Sequence, residues 1–279
     1  MRVVRHESAE AFLADAGAWL ARTEVEHNVM LGIAARLAQQ PRAAGAPAYL
    51  ASLHGAGGVA ACALRTPPHG LLVTRGEREA FRALLEDLGE EAASLPSVGG
   101  PEPASAAFAA LWAECWGGGV RLLMRQRLYA LSEVTPLAAR APGRLRPATD
   151  GDFARIVDWT AGFLREAATL DPTPPEALAR ERLQAGSVFV WEHGRPVSMA
   201  AWTGKTASGV RVNLVYTPPE ERRRGYASAC VAALTRRLLE AGNRYCCLYA
   251  DLANPVSNAI YQRIGYRAVC DWAVHGLAA

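Results

Sequence analysis

Three consecutive arginines and a glycine stand where a strand pattern gives way to a helix pattern. The segment from Val215 to Ala227 reads VYTPPEERRRGYA. The first turn of a helix leaves backbone N–H groups unpaired, and the helix dipole attracts anions to that end. Gly225 removes a side chain where an anion would approach, and Ala227 keeps the next inward position small. The pattern predicts a diphosphate-binding turn, although three solvated arginines before an ordinary helix would give the same letters.

A second motif follows about thirty residues later and contains a phenol at a helical position. Asn254 is a favourable N-cap residue, Pro255 suits the first helical position, and Gly265 suits the helix end. Tyr261 lies two helical turns beyond Asn254, on nearly the same face. A tyrosine at this position can donate a proton or can simply pack in the core.

Taken together, the two motifs resemble those of the GNAT acetyltransferase superfamily. The matching pattern is Arg222-x-x-Gly225-x-Ala227, then Asn254-x-x-Ser257-x-x-x-Tyr261-x-x-x-Gly265-Tyr266. The run Leu145-Arg146-Pro147-Ala148-Thr149, with Asp152, also resembles the first strand of that fold. The resemblance covers the chain from about Gly143 onwards.

The resemblance implies acetyl-CoA as cosubstrate, with no metal, and assigns roles to particular residues. The strand backbone would pair with the pantetheine arm at Val215, Tyr216 and Thr217, and Asn254 would help hold that arm. Tyr261 would lie near the CoA sulfur. Backbone amides of the turn would hold the pyrophosphate, and the turn comprises Arg222, Arg223, Arg224, Gly225, Tyr226 and Ala227.

The expected reaction is direct transfer of an acetyl group to an amine, with Tyr261 as the general acid. A backbone N–H of the Leu214–Thr217 strand would stabilise the oxyanion. No general base is evident, because the polar residue on that strand is Asn213, which cannot accept the proton. Asp251 and Glu166 are possible bases but are more typical of surface or capping residues. Glu220 and Glu221 suggest solvated partners of the arginines.

The chain is expected to contain two tandem α+β domains of the GNAT type, each with a mixed, mostly antiparallel sheet flanked by helices. A segment rich in small residues and helix breakers, from Thr135 to Gly143, suggests a linker. The order of predicted elements is similar on its two sides. We therefore predict a degenerate domain over residues 1–135 and a catalytic domain over residues 143–279.

Each predicted domain begins with helix and hairpin patterns and ends with helices and strands. In the first half we predict helices over 9–39, 77–91 and 103–115, and strands over 48–53, 59–64, 70–73 and 120–130. In the second half we predict helices over 151–167, 224–241 and 255–264, and strands over 145–149, 188–192, 196–202, 210–216, 244–250 and 266–274.

The first half lacks the chemistry of the second. Its counterpart of the turn is Thr74-Arg75-Gly76-Glu77-Arg78-Glu79, without a glycine-alanine pair at the start of the helix. Aligning Pro103 and Ser105 with Pro255 and Ser257 places Ala109 where Tyr261 stands. We interpret this half as having lost both the cofactor turn and the acid, although it could be an unrelated α+β domain.

Composition gives no sign of nucleic-acid or membrane binding. The 279 residues carry a net charge of +3, from 30 basic and 27 acidic side chains. The N-terminus lacks the apolar core of a signal peptide, and no apolar run reaches the roughly 18 residues of a membrane span. The six cysteines form no Cys-x-x-Cys pair. We therefore expect buried free thiols in a cytoplasmic protein.

The acceptor is expected to be a small-molecule or protein amine. Two other kinds of protein also fit the motifs. One is a non-catalytic acyl-CoA sensor or regulatory module, which would have no need of the Tyr261 phenol. The other is a structural or interaction protein whose arginine-rich turn is only a surface.

Overall fold

The computed structural model describes residues 1–39, 47–137, 141–167 and 173–278. The chain divides into two compact units. The first comprises Met1–Leu128 together with Val269–Ala279, and the second comprises Tyr129–Ala268. These limits differ from the predicted ones because the C-terminal strand belongs to the first unit. Ala138, Ala139 and Arg140 of the predicted linker lie outside the described residues.

The first unit contains four helices and seven strands among its described residues. They are β1 (Arg2–Arg5), α1 (Ala9–Leu20), α2 (Asn28–Gln39), β2 (Tyr49–Gly55), β3 (Gly58–Arg65), β4 (Leu71–Val73), α3 (Arg78–Leu88), β5 (Ser97–Pro101), α4 (Glu102–Trp116), β6 (Gly119–Leu131) and β12 (Arg267–Ala278). The strand order is β1-β2-β3-β4-β5-β12-β6. Pairing is antiparallel from β1 to β4 and between β5 and β12, and parallel between β4 and β5.

Helices cover both faces of this sheet because the apolar residues of its strands alternate in direction. Tyr49, Ala51 and Leu53 of β2 belong to the core under α3 and α4. Leu50, between them, belongs to the core under α1 and α2. Strand β12 completes the sheet, with its pairs running from Trp272↔Pro101 to Gly276↔Ser97.

The second unit contains four helices and five complete strands in the part of the chain that is described. They are β7 (Arg144–Pro147), α5 (Phe153–Glu166), α6 (Pro175–Gln184), β8 (Val188–His193), β9 (Arg195–Thr203), β10 (Gly209–Tyr216), α7 (Tyr226–Glu240), β11 (Tyr245–Asp251) and α8 (Pro255–Ile264). The end of β6, from Tyr129, also belongs here, and the strand order is β6-β11-β10-β9-β8-β7. Pairing is antiparallel from β7 to β10 and parallel between β10 and β11.

Partway along β10, its apolar side chains switch from one face of the sheet to the other. Val210 and Val212 pack in the core that contains α7 and α8. Leu214 and Tyr216 pack in the core that contains α5 and α6. One additional residue between the two pairs explains the change, because side chains alternate along a regular strand.

The mixed α+β class with mostly antiparallel pairing is confirmed. Most predicted elements exist within a few residues of their expected limits, but helix α6 and strands β1 and β5 were missed. Helix α6 buries only Leu178 and Ala179, so its periodicity is weak. Strand β5 reads SVGGP, a composition poor in strand-forming residues. The predicted first helix is two helices, α1 and α2, joined through a short 3₁₀ turn.

The expectation that all cysteines are buried was wrong for Cys115, which is exposed, and for Cys270, which is half-buried; all six are free thiols. Across the described ranges, every helix is too short or too polar to span a lipid bilayer. The same ranges contain no group of His, Cys, Asp and Glu side chains suited to a metal ion.

Leu277→Ala should destabilise the first unit by about 2–5 kcal/mol, because it leaves a cavity in a packed core. Leu277 is 8% exposed and lies in the core under α3 and α4. Leu122→Ala is the matched control, since Leu122 on β6 is 51% exposed, and its effect should stay within about 0.5 kcal/mol. Urea unfolding followed by circular dichroism measures both, and equal losses would contradict the packing of β12 described above.

Candidate functional site

A β-bulge interrupts β10 shortly before the arginine-rich turn. The pairs with β9 run from Arg211↔Thr203 to Asn213↔Ala201, and the next pair is Tyr216↔Met199. Three residues of β10 therefore span the same length of the ladder as two residues of β9. Leu214 has a φ of +47°, which is uncommon for a side chain of its size. The bulge turns the backbone of this end of β10 away from the regular ladder.

Strands β10 and β11 part at the same end. Their parallel register covers Gly209↔Tyr245 to Arg211↔Cys247, yet β10 continues to Tyr216 and β11 to Asp251. Backbone groups on the facing edges of the parted ends have no strand partner in this register. An extended, amide-containing chain can pair with such an edge as an added strand would.

The turn after β10 leads into a bare helix N-terminus. Gly225 is the N-cap of α7 with a φ of +79°, and no side chain caps that end. A Cβ added at Gly225 would lie 3.6 Å from the Cβ of Ala141, so space alone does not require glycine there. Glycine is favoured at this position by the left-handed backbone conformation. The first N–H groups of α7 are therefore presented to a ligand by a conformation that glycine supports.

Arg222 holds the turn against β10 and α5. Its Nε donates to the carbonyl oxygen of Thr217 at 2.9 Å, and its Nη2 donates to Glu166 Oε1 and Oε2 at 2.7 and 2.9 Å. The guanidinium carbon also lies 5.8 Å from the ring centre of Tyr216. The Glu166 carboxylate, one of the two possible bases, is thus committed to an ion pair.

Glu221 is a buried anchor beneath the turn, and the expectation that it is solvated was wrong. It is 2% exposed and accepts hydrogen bonds from Arg195 and, at 3.1 Å, from Arg224 Nη1. Two guanidinium groups compensate for its burial. Arg223, which has a φ of +63°, is exposed and makes no ion pair among the described residues. It is therefore the arginine of the three whose charge is left for a ligand.

The strand backbone and the first helical residue are also held in place. The Ser198 hydroxyl donates to the carbonyl oxygen of Tyr216 at 3.1 Å and shares a 2.8 Å hydrogen bond with the Thr217 hydroxyl. Tyr226 is buried, and its hydroxyl shares a 2.9 Å hydrogen bond with His193 Nδ1. Val215 is half-buried, and Ala227 is partly exposed on α7.

Asn254 caps α8, as its position predicted. Its Oδ1 accepts the Ser257 N–H at 3.1 Å, so its exposed Nδ2 remains to donate to a ligand. Asn258, which the sequence analysis missed, braces this loop. Its Nδ2 donates to the carbonyl oxygens of Asp251 and Asn254, both at 2.7 Å, and its Oδ1 accepts the Tyr129 hydroxyl at 2.8 Å. The spacing of four residues from Asn254 was the available signal.

Tyr261 is buried, 8% exposed, and lies edge-on to Tyr266 with ring centres 6.1 Å apart. Burial raises the pKa of Tyr261 to about 12, so the phenol keeps its proton at neutral pH. The Tyr266 hydroxyl bonds to Thr235 at 2.8 Å. The Tyr261 hydroxyl has no hydrogen-bond partner among the described residues and can serve a ligand.

The remaining candidate base, Asp251, is an exposed residue at the end of β11. Its Oδ1 accepts the Ala253 N–H at 2.8 Å, in agreement with a capping role. Asn213 stands on β10 immediately before the bulge. Its Oδ1 is buried and without a hydrogen-bond partner among the described residues.

The corresponding turn of the first unit is closed to anions. Thr74 Oγ1 accepts the Cys62 N–H at 2.9 Å, and Arg75 Nε donates to Glu26 at 2.9 Å. Helix α3 begins at an N-cap glutamate with a second acidic residue, Glu79, in its first turn. Carboxylates at a helix N-terminus oppose the binding of a phosphate there.

Glu221→Ala should destabilise the second unit by about 1–3 kcal/mol, because it removes the buried carboxylate that joins Arg195 and Arg224. Both arginines are largely exposed, which keeps the loss below that of a fully buried pair. Glu220→Ala is the matched control, since Glu220 is exposed and should change stability by less than about 0.5 kcal/mol. Thermal unfolding distinguishes the two, and an undiminished melting temperature for Glu221→Ala would show that the anchor does not stabilise the turn.

Comparisons with known proteins agree with this geometry. Residues 190–273 match the family model described as FR47-like protein. The sequence matches no curated protein.

Several solved structures share the fold across nearly the whole chain. A GCN5-related N-acetyltransferase from Sphaerobacter thermophilus is 18% identical, with 98% of this chain and 94% of that one covered and a TM-score of 0.62. A tandem GNAT protein from the clavulanic acid biosynthesis pathway is 14% identical, with 100% and 98% covered and a TM-score of 0.59. A Drosophila protein is 12% identical, with 98% of each chain covered and a TM-score of 0.68. The chain therefore shares its fold with these GNAT structures, and its residues 190–273 match the FR47-like family model.

Proposed function

We propose that this protein is an acetyl-CoA-dependent N-acetyltransferase whose site lies in the second unit. The observation that carries the proposal is the parting of β10 and β11 beside the bare N-terminus of α7. An extended arm with amide groups fits the first feature, and a diphosphate fits the second. Acetyl-CoA carries both groups in one molecule.

The residues that would hold acetyl-CoA follow the order of its parts. The backbone of Val215, Tyr216 and Thr217 would pair with the pantetheine arm, and Asn254 Nδ2 would donate to it. A carbonyl oxygen has two lone pairs, so the bonds that Tyr216 and Thr217 already accept leave room for this pairing. The amides of the turn from Arg222 to Ala227 would bind the pyrophosphate, with Arg223 adding an unpaired positive charge.

Acetyl-CoA would supply the activated acetyl group as a thioester. Backbone N–H groups at the bulge around Leu214 would stabilise negative charge as it develops on the thioester oxygen. Tyr261 would give its proton to the departing sulfur, and its raised pKa ensures that a proton is present at neutral pH. An acyl-CoA sensor would need the turn but not an unbonded phenol, so the enzyme is the better-supported proposal.

The acceptor is proposed to be a small-molecule or protein amine. We also place the protein in the cytoplasm, because its six cysteines are all free thiols and two of them are at least partly exposed. Such thiols persist in a reducing compartment.

Gly225→Glu should abolish acetyl-CoA binding, lowering the affinity at least about 100-fold, because it strains the left-handed N-cap and puts negative charge where a diphosphate would bind. Gly242→Glu is the matched control. Gly242 lies just beyond the other end of α7, also has a positive φ, of +95°, and has open space around it. Calorimetric titration should show saturable binding of acetyl-CoA to the wild type and to Gly242→Glu, and none to Gly225→Glu. A well-folded wild type that does not bind acetyl-CoA would disprove the proposal.

Tyr261→Phe should lower kcat by about 100-fold or more, because the departing thiolate loses its acid, while the affinity for acetyl-CoA stays the same. Tyr266→Phe is the matched control, since it breaks the buried bond to Thr235 and should lower thermal stability with only a few-fold change in kcat. Stopped-time assays of acetyl transfer with a screened acceptor measure both variants. A Tyr261→Phe enzyme with full kcat would refute the assignment of the acid.

A further inference from the structure

Two buried oxygens without hydrogen-bond partners lie in the layer where α5 packs on β10. They are Asn213 Oδ1 on β10 and Thr160 Oγ1 on α5, among the described residues. Thr160 is fully buried. Buried polar atoms in folded proteins are almost always bonded, so each exception needs a cause, and an absent polar partner is one. Asn213 Oδ1, at the residue before the bulge, is therefore an acceptor that the described part of the chain leaves unused.

The direction of the Asn213 side chain follows from the alternation along β10. Val212 packs in the core with α7, so Asn213 points to the opposite face, where α5 lies. The bulge at Leu214 comes next, where the backbone turns out of the ladder. The carboxamide thus stands on the α5 face of β10, one residue before the bulge whose backbone N–H groups are proposed to stabilise the oxyanion.

Helix α5 covers this end of β10 at close range. A Cβ added at Gly162 would lie 2.6 Å from the Tyr216 hydroxyl, so the helix approaches through a glycine. Trp159 and Tyr216 have ring centres 6.5 Å apart in the same layer. A group that reaches Asn213 from the α5 side therefore meets largely apolar and aromatic side chains.

The layer between α5 and β10 holds no unpaired carboxylate and no histidine among the described residues. Glu166 of α5 is bonded to Arg222, and Asp158 on that helix is exposed. Asp251 at the end of β11 is exposed and caps the Ala253 N–H. The other titratable side chains on β10 and β11 are Arg211, Tyr216, Tyr245, Cys246, Cys247 and Tyr249.

We propose, as an extension of the acetyltransferase function, that Asn213 accepts a hydrogen bond from the acceptor nitrogen and that the acceptor is a weakly basic primary amine of the α-amine class. A carboxamide oxygen can orient an N–H group but cannot remove its proton at neutral pH. The site therefore selects amines that are already neutral in solution.

The size of this selection follows from the pKa values of free amines. At pH 7.5 an α-amine with a pKa of about 7.8 is neutral in roughly one molecule in three, whereas a lysine ε-amine with a pKa of about 10.4 is neutral in roughly one in a thousand. Because no base to deprotonate the ammonium is found among the described residues of this layer, this difference acts directly on kcat/KM. The greater intrinsic reactivity of the ε-amine offsets part of it, so we expect at least about a tenfold preference for the α-amine.

The chemical step balances without a protein base. The nitrogen lone pair forms the bond to the thioester carbon, and the carbon–sulfur bond breaks with its electron pair on sulfur. Tyr261 protonates that sulfur. The proton lost from nitrogen passes to water, and water restores the phenol, which gives the amide and free CoA.

The test uses full-length protein, acetyl-CoA and two acceptor probes that each carry both kinds of amine. Lysinamide is the small-molecule probe, and a short peptide with a free N-terminus and one lysine is the peptide probe. Mass spectrometry locates the acetyl group. We expect acetylation of the α-nitrogen at least about tenfold above the ε-nitrogen, on the probe whose size the site accepts, with kcat/KM rising as the α-amine loses its proton.

Two substitutions at Asn213 separate its role from simple packing. Asn213→Ala should lower kcat/KM for the α-amine about tenfold with unchanged acetyl-CoA affinity, and the preference for the α-nitrogen should remain. Asn213→Asp supplies a carboxylate of the same shape and should raise the share of ε-acetylation at least about tenfold. Asp251→Asn should leave both the regioselectivity and the pH profile unchanged.

Several outcomes would overturn the inference. They are a wild type that prefers the ε-nitrogen, an Asn213→Ala enzyme with unchanged kcat/KM, and an Asp251→Asn enzyme that loses activity together with a limb of its pH profile. A wild type that binds acetyl-CoA but acetylates neither amine of either probe would also overturn it, and would leave the proposed function standing. Absence of acetyl-CoA binding would remove the proposed function itself.

Discussion

The extra residue in β10 is the constraint on which the candidate site depends. It places Asn213 and Leu214 on the same face, although neighbours on a regular strand point in opposite directions. It also coincides with the parting of β10 from β11, whose shared register ends at Arg211. A regular strand would have continued the ladder and satisfied its own backbone groups. The strained φ of Leu214 is therefore maintained by the pairing on its other edge and by the core under α5.

The charges around the turn fix its shape before any ligand is present. Glu221 is buried between two arginines, and Arg222 joins the turn to α5 through Glu166. The ion pairs of Arg224 with Glu221 and of Arg222 with Glu166 neutralise positive charge that the sequence alone would assign to a ligand. What is left for an anion is the bare end of α7 and Arg223. Preorganised backbone donors of this kind bind a diphosphate without first having to be ordered.

Strong periodicity and good caps made most of the fold predictable from the sequence. The N-cap at Asn254 and the glycine that ends α8 follow local rules, and the structure places both as expected. Helix α6 and strand β5 were missed because burial by neighbours, not their own composition, determines them. The burial of Glu221 also escaped prediction, because one of its partners, Arg195, is 26 residues away in the chain. The bulge left no sequence signal, since a leucine at positive φ looks like any other strand residue.

The contrast between the two units shows why fold and chemistry separate so readily. Their cores need only apolar residues at the right alternation, a requirement that many sequences satisfy. The proposed site uses a glycine N-cap, a first helical turn without acidic residues and a phenol. In the first unit the N-cap is a glutamate, the first turn contains Glu79, and Ala109 aligns with Tyr261. Arg75 there is bound to Glu26 and Arg78 to Glu114, so both basic residues of this turn are paired. The first unit thus has a complete core without the groups proposed to bind an anion, and the proposed function rests on the site of the second unit alone.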